Sequence, residues 1–429
     1  MGRSGEIINR DKSVISPSYT RTYPLVIERG EGAYLWDVDG KKYLDFTSCI
    51  AVANVGHANP EVIEAIKEQA DKITHNSGTD FYNALQVEMA ERLTRVTPGE
   101  FEKRVFFCNS GTEAVECAFK LARWHTKRQT MISFLGAFHG RTFGSLTLSA
   151  SRALHKSRFA PLVPSVVHSP YAYCFRCVHG EEYPECNVRC VEYIEEEILG
   201  KLVTPEEVAG IIVEPIQGEG GYIVPPLEFH RRLEALSRKH GFFLIVDEVQ
   251  TGFGRSGEMF ASQVYGVTPD AVALAKAIAG GVPMGACVAR KEIMSWPRGA
   301  HASTFAGNPL ACAAAIATLE FIERRRLWEN ASQLGEFGLK FLRDLKDEIP
   351  LIGDVRGLGL MLAVELVRDE KTKKPATVER DKALFRAYNA GLLLLSGGES
   401  SIRIAPPLVI SEDEFEKGLH ALGGVLKEL

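Results

Sequence analysis

Residues 242–281 read FFLIVDEVQTGFGRSGEMFASQVYGVTPDAVALAKAIAGG, and the rest of the chain organises around them. The apolar run Phe242 to Val246 shows no alternation with polar residues, as expected of a strand covered on both faces in a parallel sheet. Asp247 then stands at a carboxyl end, where open α/β sheets bind their ligands. After a glycine-broken loop, Lys276 lies in a run of small apolar residues from Ala271 to Ala279. Few of these neighbours can solvate or pair an ammonium, so burial lowers its pKa and makes it a candidate Schiff-base nucleophile. The residues alone equally allow Asp247 to cap a loop and Lys276 to snorkel from a helix surface.

Outward from this stretch, apolar strands are expected at 105–108, 131–134, 166–168 and 210–214, separated by helical segments. That rhythm predicts an α/β fold with a mostly parallel sheet and helices on both faces. Residues 25–46 read as a small antiparallel meander. Asn59 and Pro60 open a helix whose Val62, Ile66, Ala70 and Ile73 share one face, and a second helix after Asp80 buries Leu85, Met89, Leu93 and Val96. Beyond Pro309 come an Ala-rich helix, an amphipathic helix near 328–345, two short strands and a final helix started by Ser411 and Glu414 at capping-box spacing. The expected division is an arm and small-domain portion over 1–75, a large domain over 76–309 and a C-terminal small α+β domain over 310–429.

Three further motifs follow expected strands. NSGTEAVE at 109–116 opens a helix where Gly111 admits close backbone approach, the helix end offers free N–H groups and Thr112 adds a hydroxyl, which suits a phosphate. The same letters fit an ordinary capping box between Ser110 and Glu113. AFHGRT at 137–142 offers Phe138 as a flat wall for a ring, with His139 as a core histidine and Arg141 as a loop arginine in the plainer reading. VEPIQGEGG at 213–221 brings Glu214 and Glu219 to a strand end. Such paired carboxylates suit hydrolysis, but a hydrolase leaves Lys276 and the phosphate-like turn unexplained.

The D-E-V-Q-x-G-x-G-R pattern from Asp247 to Arg255, with Lys276 after it, resembles the class III (omega) aminotransferases, pyridoxal-phosphate enzymes of fold type I, among them 4-aminobutyrate aminotransferase and related archaeal amino-acid racemases. The resemblance runs from about Pro24 to the C-terminus. It implies a large domain around a seven-stranded-type sheet and a small domain drawn from both termini. It also implies that Lys276 holds the cofactor as a Schiff base, that Asp247 pairs with the pyridine nitrogen and that Gln250 meets the phenolic oxygen. By the same resemblance Ser110, Gly111 and Thr112 cradle the phosphate, and Phe138 stacks on the ring with His139 beside it. Glu214 positions the Asp247 and Gln250 region, and Thr304 reaches the phosphate of a neighbouring subunit. The active site would then be shared in a homodimer, with a dimer of dimers as a further arrangement. For substrate, Arg403 would bind an α-carboxylate with Glu219 as its cover, Arg141 would bind a distal carboxylate, and Ile50 stands where ornithine-specific relatives carry tyrosine. The expected reaction is ping-pong transfer of an amino group from a 4-aminobutyrate-like donor to 2-oxoglutarate; an amino-acid racemase is the alternative on the same machinery.

Bulk properties narrow the classes. With 50 basic and 55 acidic residues the net charge is −5, so charge balance implies no polyanion-binding surface. No run reaches the length of a membrane span and the first residues lack the apolar core of a signal peptide, so a cytoplasmic enzyme without nucleic-acid or membrane partners is expected. Four of the nine cysteines cluster as Cys174, Cys177, Cys186 and Cys190 in an insertion over 170–192. C-x-x-C followed by C-x-x-x-C leaves two readings, free or disulfide-bonded thiols and a structural metal site. A non-catalytic metal-binding module resting on this cluster is the remote alternative, and no catalytic metal is expected.

Overall fold

The computed structural model describes residues 2–429. Its central layer is a seven-stranded sheet in the order Lys103–Cys108, Gly285–Arg290, Ala271–Leu274, Phe243–Asp247, Val208–Val213, Thr130–Phe134, Val166–Ser169. Only Gly285–Arg290 runs against the others. Strand alternation divides the apolar residues between two cores. Phe243 and Ile245 face the helix Gly111–Thr126 through Ala114, Ala118 and Leu121, while Leu244 and Val246 face the helix Leu227–His240 through Phe229 and Leu233. A strand buried on both sides has no polar face to show, which is why residues 242–246 read as a continuous apolar run.

Two of the seven strands escaped the sequence-based expectation. Ala271–Leu274 is buried at all four positions, so the run leading to Lys276 is a strand and not a helix. Its alanines carry neither β-branching nor alternation, the two local signals a strand offers. Gly285–Arg290 was likewise not anticipated, although it fills the sheet between Ala271–Leu274 and Lys103–Cys108.

Both chain ends build the second lobe. Ile27–Glu31, Tyr34–Asp37 and Lys42–Asp45 form an antiparallel meander, which Leu392–Leu393 joins in parallel. A second antiparallel sheet pairs Ile352–Leu358, Met361–Asp369, Ser401–Ile404 and Leu395–Gly397. The helices Leu327–Glu348 and Glu412–Lys427 cover this lobe, the latter with the Ser411–Glu414 capping box, while Pro309–Arg325 packs on Pro60–Ala70, Ala84–Val96 and the Lys276–Ala279 turn. Pro60–Ala70 starts at Asn59, whose side chain accepts from the N–H groups of Glu61 and Val62. Its inward face differs from the expectation: the helix stops at Ala70, Gln69 is buried in place of Ala70, and Ile73 lies exposed beyond the end. Gln69 Nε2 donates to Ile73 O at 2.7 Å, which satisfies the polar group its burial would otherwise strand.

Candidate active site

The carboxyl ends of five strands converge on a cavity of about 500 Å³. Ser110, Gly111, Thr112, Phe138, His139, Arg141, Glu214, Glu219, Asp247, Gln250 and Lys276 all line it.

Lys276 enters by an unusual backbone. Its φ is +48°, in the left-handed region that a lysine adopts at a cost on the order of 1–3 kcal/mol. The strand Ala271–Leu274 thus ends in a tight 3₁₀ turn, Lys276–Ala279, with the amine in the cavity wall. Burial lowers the Lys276 pKa from its ordinary value to about 8, against the opposing pull of the Asp247 and Glu214 carboxylates. The amine therefore loses its proton more readily than an ordinary lysine and is the more available as a nucleophile.

Asp247, nearly fully buried, is held at both oxygens. Oδ1 accepts from Val249 N at 3.0 Å, and Oδ2 meets His139 Nδ1 at 2.7 Å. His139 is itself fixed by a bond from its backbone N–H to Ser149 Oγ at 2.8 Å, so one carboxylate edge is oriented by a rigid imidazole. Glu214 bonds directly to neither Asp247 nor Gln250 but to the loops beside them. Its Oε1 accepts from Phe138 N and its Oε2 from Gly218 N, each at 2.8 Å, so it ties two loops together while His139 positions Asp247. Burial raises the Glu214 carboxyl to about 7.

The 16-residue helix Gly111–Thr126 points its first turn at the cavity. Ser110 is its N-cap and accepts from Glu113 N, while Glu113 Oε2 accepts from Asn109 N at 2.9 Å. The helix cap and an anion-binding helix end therefore coexist: Ser110 caps the helix while Glu113 reaches back one residue further, to Asn109 N, in place of the expected capping box, and Gly111 and Thr112 begin the turn that lines the cavity. A Cβ at Gly111 would come within 2.9 Å of Val249 Cγ1, so only glycine lets the turn sit this close to the Asp247 loop.

At the cavity mouth, Glu219 stands between two arginines. Its Oε2 meets Arg403 Nη2 at 3.3 Å and its Oε1 meets Arg152 Nη2 at 3.2 Å. Arg403 is buried on the strand Ser401–Ile404 and also donates to Gly218 O at 3.2 Å. Arg141 lies exposed over the Phe138 ring at 5.7 Å, with His155 Nε2 3.5 Å from its Nη2. Sequence reasoning missed Arg152, for which RALHK carries no signal, and missed the hold of His139 on Asp247.

Two expected residues stand apart from this cavity. Ile50 is half exposed, in a turn where Ser48, Cys49, Ile50 and Ala51 all have positive φ, and the neighbour that lines the cavity is Val52. Ile50 therefore lies outside the cavity that Arg141 lines. Thr304 is exposed outside the cavity, next to Ser303, whose Oγ accepts from Asn109 Nδ2 at 3.2 Å.

The family model for aminotransferase class III matches residues 14–426. The chain belongs to the class III aminotransferases. It is 40% identical over 422 residues to a leucine/methionine racemase of Thermococcus litoralis, covering 98% of this chain and 95% of that one. An acetylornithine aminotransferase of Archaeoglobus fulgidus is 41% identical over 97% and 99% of the two chains, and a probable 4-aminobutyrate aminotransferase of Bacillus subtilis is 37% identical over 93% and 92%. Among solved structures, an amine transaminase from an uncultivated Pseudomonas species in its PLP-bound form superposes with a TM-score of 0.89 at 32% identity, covering 97% and 98% of the two chains.

This class III aminotransferase is accordingly a fold type I, pyridoxal-phosphate-dependent enzyme of the amino-group-transferring type. The cavity suits that cofactor by its own chemistry: His139 Nε2 and Gln250 Oε1 are buried without a hydrogen-bond partner, an amine of lowered pKa lies beside a fixed carboxylate, and a helix N-terminus bounds one end. Among the described residues no helix is long and apolar enough to cross a membrane.

Proposed function

We propose that the enzyme transfers an amino group from a 4-aminobutyrate-like ω-amino acid to 2-oxoglutarate by a ping-pong route, as a homodimer with shared active sites. The observation that carries this reading is Glu219 seated on Arg403 at 3.3 Å. Covered in this way, Arg403 offers no free charge to an incoming ω-amino donor, which carries its amine at the chain end. With Glu219 swung aside, the guanidinium is bared for the α-carboxylate of 2-oxoglutarate or glutamate, a planar partner for a planar fork. Arg141, exposed at the mouth, would take the distal carboxylate.

In this reading Lys276, Asp247, Gln250, Phe138, His139 and the Ser110–Gly111–Thr112 turn hold pyridoxal phosphate, which supplies the carbonyl that takes up the amine and the ring that accepts the electron pair. Asp247, held in place by His139 and the Val249 N–H, would turn its carboxylate toward the ring nitrogen. Lys276 Nζ removes the proton from the substrate carbon that bears the amine and returns a proton on the carbonyl side. Thr304, exposed with Phe305, and the exposed Phe81 and Tyr82 support a subunit interface beside the site.

The 40% identity to a racemase favours one second reading, return of the proton to the other face of the same substrate carbon. Single-turnover chemistry separates the two. Holoenzyme given 4-aminobutyrate alone is expected to release one equivalent of the semialdehyde, then to form glutamate when 2-oxoglutarate is added. Loss of optical activity from an L-amino acid without any oxo-acid product would instead establish the racemase. Lys276→Ala is expected to abolish either reaction, by a factor of about 10² to 10⁴ from proton transfer alone.

A further inference from the structure

The segment between Ser169 and the helix Arg189–Tyr193 has one 3₁₀ turn, Cys174–Arg176, and no other helix or strand. A connection of that length within a compact domain needs something to order it. Yet its side chains make directed contacts with the small lobe. Tyr173 OH and Arg176 both bond to the carboxylate of Glu365, and Lys373 Nζ donates to Phe175 O at 2.8 Å. Glu365 is buried and pairs with Arg356 Nη1 at 2.8 Å, whose Nη2 donates to Gly221 O at 2.7 Å and Ser401 Oγ at 2.9 Å. The insertion thus braces the flanks of both Glu219 and Arg403.

The insertion gathers its four cysteines on the other side. Cys174, Cys177, Cys186 and Cys190 all line one cavity of about 10 Å³, room for a single small ion. None is in a disulfide. We propose that these four thiols form a structural zinc site that staples the insertion, holding Tyr173 and Arg176 against Glu365. Paired cysteines at C-x-x-C and C-x-x-x-C spacing give an all-sulfur donor set, and thiolates select Zn²⁺ over the hard divalent cations. Among the described residues only Asp45, Cys49 and His57 bring three ligand atoms within 4.8 Å of one another. There Asp45 is already bonded to His57 and Thr47. No three of the four sulfurs lie within 4.8 Å of one another, so Zn–S bonds of about 2.3 Å draw them inward and release the thiol protons.

The test is made on holoenzyme purified without added metal. Elemental analysis is expected to give about one zinc per chain, and X-ray absorption a shell of four sulfurs near 2.3 Å. Cys174→Ser and Cys190→Ser are expected to lose the zinc and to open residues 170–192 to trypsin, while Cys312→Ser keeps both properties of the parent. Should those variants fail to fold, the metal content and sulfur shell of the parent still decide. A metal-free chain whose intact mass lacks thiol hydrogens, meaning disulfides, overturns the proposal. So do four alkylatable thiols that stay metal-free after dialysis against Zn²⁺.

Discussion

Arg403 Nη2 and Glu219 Oε2 meet at 3.3 Å across the two lobes, one on the strand Ser401–Ile404 and the other on the loop that follows Val208–Val213. Because Glu219 is also paired with Arg152, it can leave Arg403 without losing every cationic partner. Arg403→Ala is expected to raise the KM for 2-oxoglutarate about 10- to 100-fold, the loss of one charge-assisted bond of roughly 1.5–3 kcal/mol. Monoamine donors without a carboxylate should change little. An equal rise for both substrates in steady-state kinetics would mean that Arg403 only joins the lobes.

The bond between Asp247 and His139 separates charge from orientation. Asp247→Asn removes the negative charge itself, and His139→Gln removes only the group that fixes it. We expect the first to slow proton abstraction by about 10²-fold or more, and the second by about tenfold, in proportion to what preorganised electrostatics supplies. Rapid-quench measurement with donor deuterated at the reacting carbon checks this order. Equal losses, with no change in the isotope effect, would make Asp247 a structural residue.

Arg255 closes the D-E-V-Q-x-G-x-G-R pattern and is fully buried. It donates to Leu360 O, Pro406 O, Ser48 Oγ and Asn54 Oδ1 at 2.6–3.2 Å, so one guanidinium joins three distant segments to the Asp247 loop. Burial lowers its pKa to about 10. An ammonium cannot reproduce a forked donor set, so Arg255→Lys is expected to cost on the order of 3 kcal/mol by leaving buried acceptors unpaired. A urea midpoint unchanged from the parent would refute that accounting.

Local signals made part of this molecule legible. The run ending in Asp247 is a strand because both its faces are buried, and Asn59, Ser110 and Ser411 each cap a helix with their own side chains. Such readings need only neighbours in sequence. His139 and Asp247 stand 108 residues apart, and nothing near His139 announces its partner. The same holds for Arg152 and Glu219, and for the strand Ala271–Leu274, whose small residues pack only because of what surrounds them. The resemblance named cofactor residues that share one cavity, Thr304 excepted, but the bonds of Glu214 and His139 emerged only from the structure.

The burial of Glu214 has a pH signature. Glu214 ordinarily titrates near 4.5, and burial raises it to about 7 in the folded enzyme. Between these values the folded protein holds a proton that the unfolded chain has lost, so folding is favoured most at the acid end. The contribution is fully present below pH 4.5 and is lost as pH rises through about 7. A shift of this size corresponds to roughly 3 kcal/mol across the window. Glu214→Gln keeps an acceptor for the Phe138 or Gly218 N–H and cannot titrate. In cofactor-free protein, the fall in stability from pH 4.5 to 7 should therefore be shallower in the variant than in the parent, read as urea midpoints at half-unit steps. Parallel curves for the two proteins would show that Glu214 is already ionised throughout this range and that its two N–H bonds outweigh its burial.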